Sequence, residues 1–424
     1  MTARRPLVLA AAACLISAGV ATAAPRKKSA VRKVALKDDD APDVVTYGRR
    51  DDVLRFADDL AERRGLDIEW VRSALAQARF QPLVARYIMP PVAGAAKNWA
   101  AYRARFVEPV RIRAGTVFWR ANERWLAQAE EIYGVPPEIV VGIVGVESIF
   151  GQQMGNFRVI DALATLAFDF PSGRRDRSAF FKDELENWFV LCKSEGIDPL
   201  AWRGSYAGAL GMAQFMPSSF NKYAVDFDGD GRRDIWNSVP DTLASIANYL
   251  KQEGWNAARG WGQEVTFPAT VACTLEGPDQ GKPTDKWAAL GVGRAGGKPL
   301  AGKDDGLGYM LMPAGRFGPA FLVSENFYVL KNYNYSDLYA LYIGHLADRM
   351  AADRAFSTPW SKVGGFSRGA VKKMQDALVA QGYDVGRADG LVGFKTRIAI
   401  GLWQGKHGEA ETCFPDASLV KNIR

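Results

Sequence analysis

Between Ile139 and Val146 the chain reads Ile-Val-Val-Gly-Ile-Val-Gly-Val, an apolar run that ends on a single acid, Glu147. Val135-Pro136-Pro137-Glu138 stands in front of it. Proline suits the first turn of a helix, and an acid there complements the helix dipole. The segment therefore predicts a buried helix that runs from the prolines through Val146 and is ended by Gly151. Nowhere inside the chain is there an apolar run of about 20 residues, the length needed to cross a bilayer.

A chain of 424 residues exceeds one ordinary core and predicts two or three domains. From Val53 to about Trp255 the pattern is helical. Val53, Leu54, Ala57, Leu60 and Ala61 recur at three- and four-residue spacing, as do Phe118, Asn122, Trp125, Leu126 and Ala129. Between about Val265 and Leu330, short apolar stretches punctuated by Gly and Pro predict a small β-rich insertion. Helix returns from Ser336 to Met350. Thr358-Pro359 and Gly364-Gly365 mark a linker, and the residues after it read as a separate small module. The fold class expected is mainly α, of α+β type. The boundaries are 51–355 for the larger domain, 356–365 for the linker and 366–424 for the module. The hinge-like linker predicts a tethered module whose loss leaves chemistry on short soluble ligands nearly unchanged.

The N-terminus reads as an export signal. Arg4-Arg5 precede an apolar stretch from Leu7 to Val20, and Ala21-Thr22-Ala23 has the small residues of a cleavage site. Residues 1–24 are the predicted signal, and the mature chain is expected in the periplasm. Ala13-Cys14 leaves open a lipoprotein site, Arg4-Arg5 a twin-arginine signal, and the run itself a buried helix. Membrane anchoring is expected only if Cys14 is lipidated. Residues 25–50 pass from basic to acidic clusters with few apolar side chains and predict a disordered linker. Without Cys14, the cysteines Cys192, Cys273 and Cys413 remain, far apart and in no CxxC. One disulfide with one free thiol is compatible with that number, and spacing leaves the pairing open.

Composition narrows the chemistry. Two histidines, His345 and His407, give a His-rich metal site or a Ser-His-Asp triad little material. Twelve Trp, 14 Tyr and 22 Phe favour stacking on apolar faces, sugar rings included. The formal charge of +7 is mild and diffuse, and no nucleic-acid partner is expected.

Four segments carry chemistry. Burial should raise the pKa of Glu147, and a protonated carboxyl at neutral pH can protonate a leaving glycosidic oxygen. The competing reading pairs the acid with an arginine or turns it to water. Gly204–Ser218 is rich in small residues that admit close backbone approach, with Ser205 and Gln214 as polar groups in apolar company; a tightly packed turn reads the same way. Asp226-Phe227-Asp228-Gly229-Asp230-Gly231-Arg232-Arg233-Asp234 has the spacing of an EF-hand calcium loop. Asp226, Asp228, Asp230 and Asp234 would supply carboxylates and Arg232 its carbonyl. The twelfth position is Asn237 in place of Glu, with Asp241 beyond the loop able to stand in, so a weak structural Ca2+ site is expected. Clustered Tyr and Asn from Asn332 to Tyr339, with Tyr102 and Tyr249, can stack on a sugar or serve as packing.

These segments, with Glu147-Ser148 and Gly151, Ala162–Ala167, Gly204–Ala209, Gln214–Ser218, Ala224-Val225-Asp226 and Tyr333-Asn334 before Ser336 and Tyr339, resemble the lytic murein transglycosylase B family. The likeness spans roughly residues 50 to 352. Val371, Gln375, Leu378, Gly382-Tyr383, Asp389-Gly390, Gly393, Thr396, Ala399 and Gln404 resemble the three-helix peptidoglycan-binding domain, whose usual ending is absent around Cys413-Phe414-Pro415-Asp416.

The resemblance implies a lysozyme-like catalytic domain and cleavage of the β-1,4 bond between N-acetylmuramic acid and N-acetylglucosamine. It implies that Glu147 acts as acid and then as base, giving 1,6-anhydro ends without a second carboxylate. Ser205 would hold Glu147 or the acetamido group. Gln214, Tyr102, Tyr249, Tyr333, Asn334 and Tyr339 would line the groove. The expected partner is the peptidoglycan glycan strand, bound by a monomer with no organic cofactor. A hydrolytic muramidase and a non-catalytic wall-binding scaffold are the rival classes.

Overall fold

Pro137 opens a helix that runs to Glu147, and this element organises the larger domain. The computed structural model describes residues 45–89, 107–297, 300, 306–352 and 354–423; the predicted signal, Cys14 and Tyr102 lie outside them. In the Glu147 helix, Ile139 through Gly145 are all buried. Each aliphatic side chain sealed in this way contributes about 1.5–3 kcal/mol. The helix packs against Asp337–Ala352, Pro109–Ala121 and Glu123–Tyr133. Gly142 permits the close approach to Asp337–Ala352, and Gly145 makes room for the Phe150 ring of the following turn. A Cβ on Gly142 would lie 3.3 Å from the Ile343 carbonyl, and one on Gly145 would lie 2.7 Å from the Phe150 ring.

The helix ends at Glu147, before the residue predicted to end it. Ile149, Phe150 and Gly151 all take left-handed backbone conformations, with φ of 51°, 54° and 82°. A β-branched residue there is strained. The Ser148 hydroxyl secures the turn by donating to the Val144 carbonyl and accepting from the Gly151 amide. A third bond runs from the Phe150 amide to the Val144 carbonyl.

The other helices follow the predicted periodicity, with Asn122 interrupting the pattern between Ala121 and Glu123. Residues 45–50 are not the linker expected of them. Tyr47 is fully buried and donates to Asp169, and Thr46 bridges Arg79. The packing value of one aromatic ring outweighs the polar neighbours that suggested disorder.

The β-rich insertion is an antiparallel five-stranded sheet. Its strands run in the order Lys282–Pro283, Leu307–Leu311, Ala320–Val323, Gly262–Thr266 and Gly293–Arg294. It ends at Val323. Residues Glu325–Asn334 form a helix capped by Ser324, so the Asn332–Asn334 cluster both ends one helix and precedes the next, which starts at Asp337. The mainly α fold with a small sheet is as anticipated.

The module from Arg368 has its own core of Val371, Met374, Leu378, Ile400 and Trp403, but it is not a free tether. Cys413 is bonded to Cys273 of the sheet region and shares a core with Val265, Trp287 and Met310. Arg316 donates to the Glu411 carbonyl at 2.9 Å, and its amide donates to the Thr412 carbonyl at 2.9 Å. All described residues fall in one compact unit. Cys192 is the buried free thiol, pushed well above its ordinary pKa by burial.

Candidate active site

Glu147 is presented by the strained turn at the end of its helix. The residue keeps partial exposure, which a proton donor to an incoming substrate requires. Desolvation nonetheless governs its carboxyl, and burial pushes the pKa up to about 7, with the Tyr339 hydroxyl acting in the lowering direction. Tyr339 is buried, and its hydroxyl faces Glu147 without reaching full hydrogen-bond geometry with any partner. No second carboxylate among the described residues acts on Glu147.

Behind Glu147 stands a stack of tyrosines. Tyr333 and Tyr339 are stacked, with ring planes 15° apart and centroids 6.1 Å apart. Tyr249 meets Tyr333 edge-on at 4.8 Å, and Phe215 touches both. Tyr333 donates to the Ala213 carbonyl at 2.6 Å. Burial, then the charge of Glu147, holds the Tyr333 and Tyr339 hydroxyls well above the ordinary phenol pKa. They are therefore neutral donors at every physiological pH.

The segment Gly204–Ser218 folds against the Glu147 turn. Met212 lies beside Gly151, where an added Cβ would meet its sulfur at 3.1 Å. Gln214, at φ 51°, donates its side-chain amide to the Met154 carbonyl at 3.3 Å and to Gly211 at 2.8 Å. Ser205 does not hold Glu147. Its hydroxyl accepts the amides of Ala207 and Ala209, and its own proton has no acceptor among the described residues. Asn334 is exposed at the last position of its helix and makes no side-chain hydrogen bond there. The structure thus brings Glu147, Tyr339, Tyr333 and Tyr249 together, places Gln214 in the segment that packs on them through Ala213 and Phe215, and leaves Asn334 exposed.

Sequence reading missed Glu184, which accepts the amide and hydroxyl of Ser218 and so caps the helix Pro217–Tyr223. Its oxygens are committed to that cap, so it is a structural acid. Glu184 sits between Asp183 and Glu186 in the helix Ser178–Glu195 and carries no local sign of this role.

In the acidic loop, ligand oxygens of Asp226, Asp228 and Asp230 lie within 4.8 Å of one another, and all three residues are exposed. Asp226 accepts the amides of Gly229 and Gly231, and Asp230 that of Arg232. Three convergent carboxylates suit a hard, oxygen-bound cation. Asp234 does not join them: it accepts the amides of Trp236 and Asn237 and the Asn237 side chain. Asp241 does not stand in for the missing glutamate. It is fully buried and accepts the amides of Phe227, Asp228 and Asp234, stitching the loop to the helix Val239–Gln252.

A carboxyl raised in pKa at the end of an apolar helix, backed by aromatic rings, is the arrangement expected of a lysozyme-like glycan-cleaving enzyme. Residues 48–348 match the family described as the transglycosylase SLT domain. The sequence is 34% identical over 321 residues to the membrane-bound lytic murein transglycosylase B of Escherichia coli K12, covering 73% of this chain and 85% of that one. SltB3 of Pseudomonas aeruginosa, solved in complex with NAG-anhNAM-pentapeptide, superposes with a TM-score of 0.80 at 35% identity. It covers 88% of this chain and 99% of its own. The Escherichia coli lytic transglycosylase Slt35, solved in complex with calcium, gives 0.61 at 33% identity over 72% of this chain and 93% of its own. The chain belongs to the SLT-domain lytic transglycosylase family, whose members cleave peptidoglycan.

Proposed function

We propose that the chain cleaves the β-1,4 bond between N-acetylmuramic acid and N-acetylglucosamine and leaves 1,6-anhydro ends, with Glu147 as the sole proton carrier. The observation that carries this reading is the enclosed carboxyl with a pKa near 7. A carboxyl raised toward neutrality can give a proton and then take one. Protonated Glu147 donates to the glycosidic oxygen as that bond to C1 breaks. The resulting carboxylate accepts the proton of the C6 hydroxyl as its oxygen bonds to C1. No water is consumed, and Glu147 ends protonated as it began.

Tyr339 steadies the carboxylate that exists between the two transfers. Tyr249, Tyr333 and Gln214 form the wall against which sugar rings rest, and the free proton of Ser205 is available to an acetamido oxygen. Asn334 completes the proposed groove, and Tyr102, outside the described residues, is assigned to it by the family resemblance alone. The three loop carboxylates, Asp226, Asp228 and Asp230, would hold a structural calcium ion, whose charge would relieve their mutual repulsion. The substrate lies in the wall, which accords with export to the periplasm; no helix among the described residues is long and apolar enough to cross a membrane.

Mass spectrometry of digested sacculi tests the reading. Anhydro ends, lighter than reducing ends by one water, are expected. Reducing muramic ends in their place would identify a hydrolase, and no release at all a binding protein.

A further inference from the structure

Arg397 stands in the module helix Phe394–Lys406 and is 2% exposed. Its Nε donates to Glu276 Oε2 at 2.8 Å and its Nη2 to Oε1 at 2.6 Å, while Nη1 donates to the Val392 carbonyl. The same Nη2 lies 3.6 Å from Asp337 Oδ2. Glu276 also accepts the Met312 amide of the sheet region, and Asp337 takes Lys331 at 2.7 Å on its other oxygen. Burial opposes the guanidinium charge, but Glu276 and Asp337 overcome this and hold its pKa above the ordinary value. A charge so deeply buried persists only when paired.

Asp337 is the first residue of the helix that carries Tyr339. The link to the preceding helix is only Tyr335 and Ser336, and Tyr335 is itself left-handed at φ 43°. The start of the Tyr339 helix is thus set by a short strained turn, by Lys331 from one side and by Arg397 from the module. Tyr339 and Tyr333 are the titratable groups that face Glu147, and the buried Arg111 of Pro109–Ala121, packed against the same helix, donates to the Gly145 carbonyl at 2.8 Å.

We propose that Arg397 is a positioning residue for the transglycosylase site: by holding Asp337 it fixes the first turn of the Tyr339 helix, and with it the placement of the Tyr339 hydroxyl against Glu147. The C-terminal module thereby completes the active site in addition to any role in binding the wall. The inference rests on Glu147 as the proton carrier, a reading that Glu147→Gln tests by itself.

Asp337→Asn in the full chain leaves the Glu276 pair intact and so separates positioning from folding. The expected result is a kcat lowered roughly tenfold, as for a slightly misplaced group, with KM changed less than about twofold. The alkaline limb of kcat/KM moves to higher pH, because the hydroxyl that favours ionised Glu147 has withdrawn. Arg397→Gln gives the same shift, and Arg397→Lys, which keeps a charge near Asp337, a smaller one. A wild-type kcat and pH profile in folded Asp337→Asn overturns the proposal. So does a loss of activity that follows the melting temperature while the profile stays put.

Discussion

Tyr339 sets its hydroxyl against the Glu147 carboxyl from a helix that begins only two residues earlier, at Asp337. The acid and its nearest polar neighbour come from helices distant in the chain. Their relation depends on how those helices pack at Gly142, against the Ile343 carbonyl.

Glu147→Gln should give a folded protein that binds glycan and releases no anhydro product. The amide fills the same space but cannot shuttle a proton, a role commonly worth about 10²–10⁴ in rate. Product release by the purified variant above that residue would remove Glu147 from its role.

Two pH effects follow from the raised Glu147 pKa of about 7. Cleavage starts from the protonated form, so kcat/KM should fall as pH rises through about 7. Stability should move the same way. Between the ordinary carboxylate range and about 7 the native state binds more protons than the unfolded state, so stability declines with rising pH. Glu147→Gln should therefore raise the melting temperature at pH 8 more than at pH 5. Equal shifts at both would contradict the assignment.

Tyr339→Phe removes the group that lowers the Glu147 pKa. The alkaline limb of its kcat/KM profile should lie above that of the parent, with a lower maximal rate. A downward displacement would show that the hydroxyl stabilises the neutral acid instead.

Calcium should raise the melting temperature, and magnesium should do so less, because the loop offers flexible carboxylates in place of a tight octahedron. At a hundred times its Kd a ligand specific for the native state adds about 2.7 kcal/mol. Asp226→Asn together with Asp230→Asn should abolish the response while leaving chemistry on short glycans intact. Identical melting curves with calcium and with chelator would rule the site out.

Removing residues from 360 onward should reduce turnover of short soluble glycans as well as of sacculi. This reverses the expectation from the linker alone. The truncation deletes Arg397, exposes Cys273 and leaves Glu276 buried without its partner. Replacing Cys273 and Cys413 by serine should cost up to about 5 kcal/mol on a chain-entropy account of so long a loop. Chemical denaturation and parallel assays on both substrates would check these outcomes.

Much of this was readable in advance wherever the signal was local. The Glu147 helix announced itself through its apolar run and its prolines, and Asp226, Asp228 and Asp230 through their spacing. The misreadings share a physical origin. Asp241 carries the right chemistry, but it is fully buried and holds the amides of Phe227, Asp228 and Asp234, which spacing does not report. Ser205 was expected to hold either the acid or the acetamido group; its oxygen organises its own turn and does not reach Glu147. Ile149 and Phe150 are residue types that avoid left-handed backbone, so nothing in their identity forecasts the turn they make. The Cys273–Cys413 and Glu276–Arg397 contacts join positions more than a hundred residues apart, and three cysteines alone left their pairing open.

The Cys273–Cys413 bond gives the molecule a property that neither module has separately. The chain between residues 354 and 365 connects two bodies that are already joined elsewhere, so a protease that cuts it does not release the module. The two fragments would migrate as one species without reductant and as two with it, and the nicked enzyme would keep its C-terminal module attached to the larger domain.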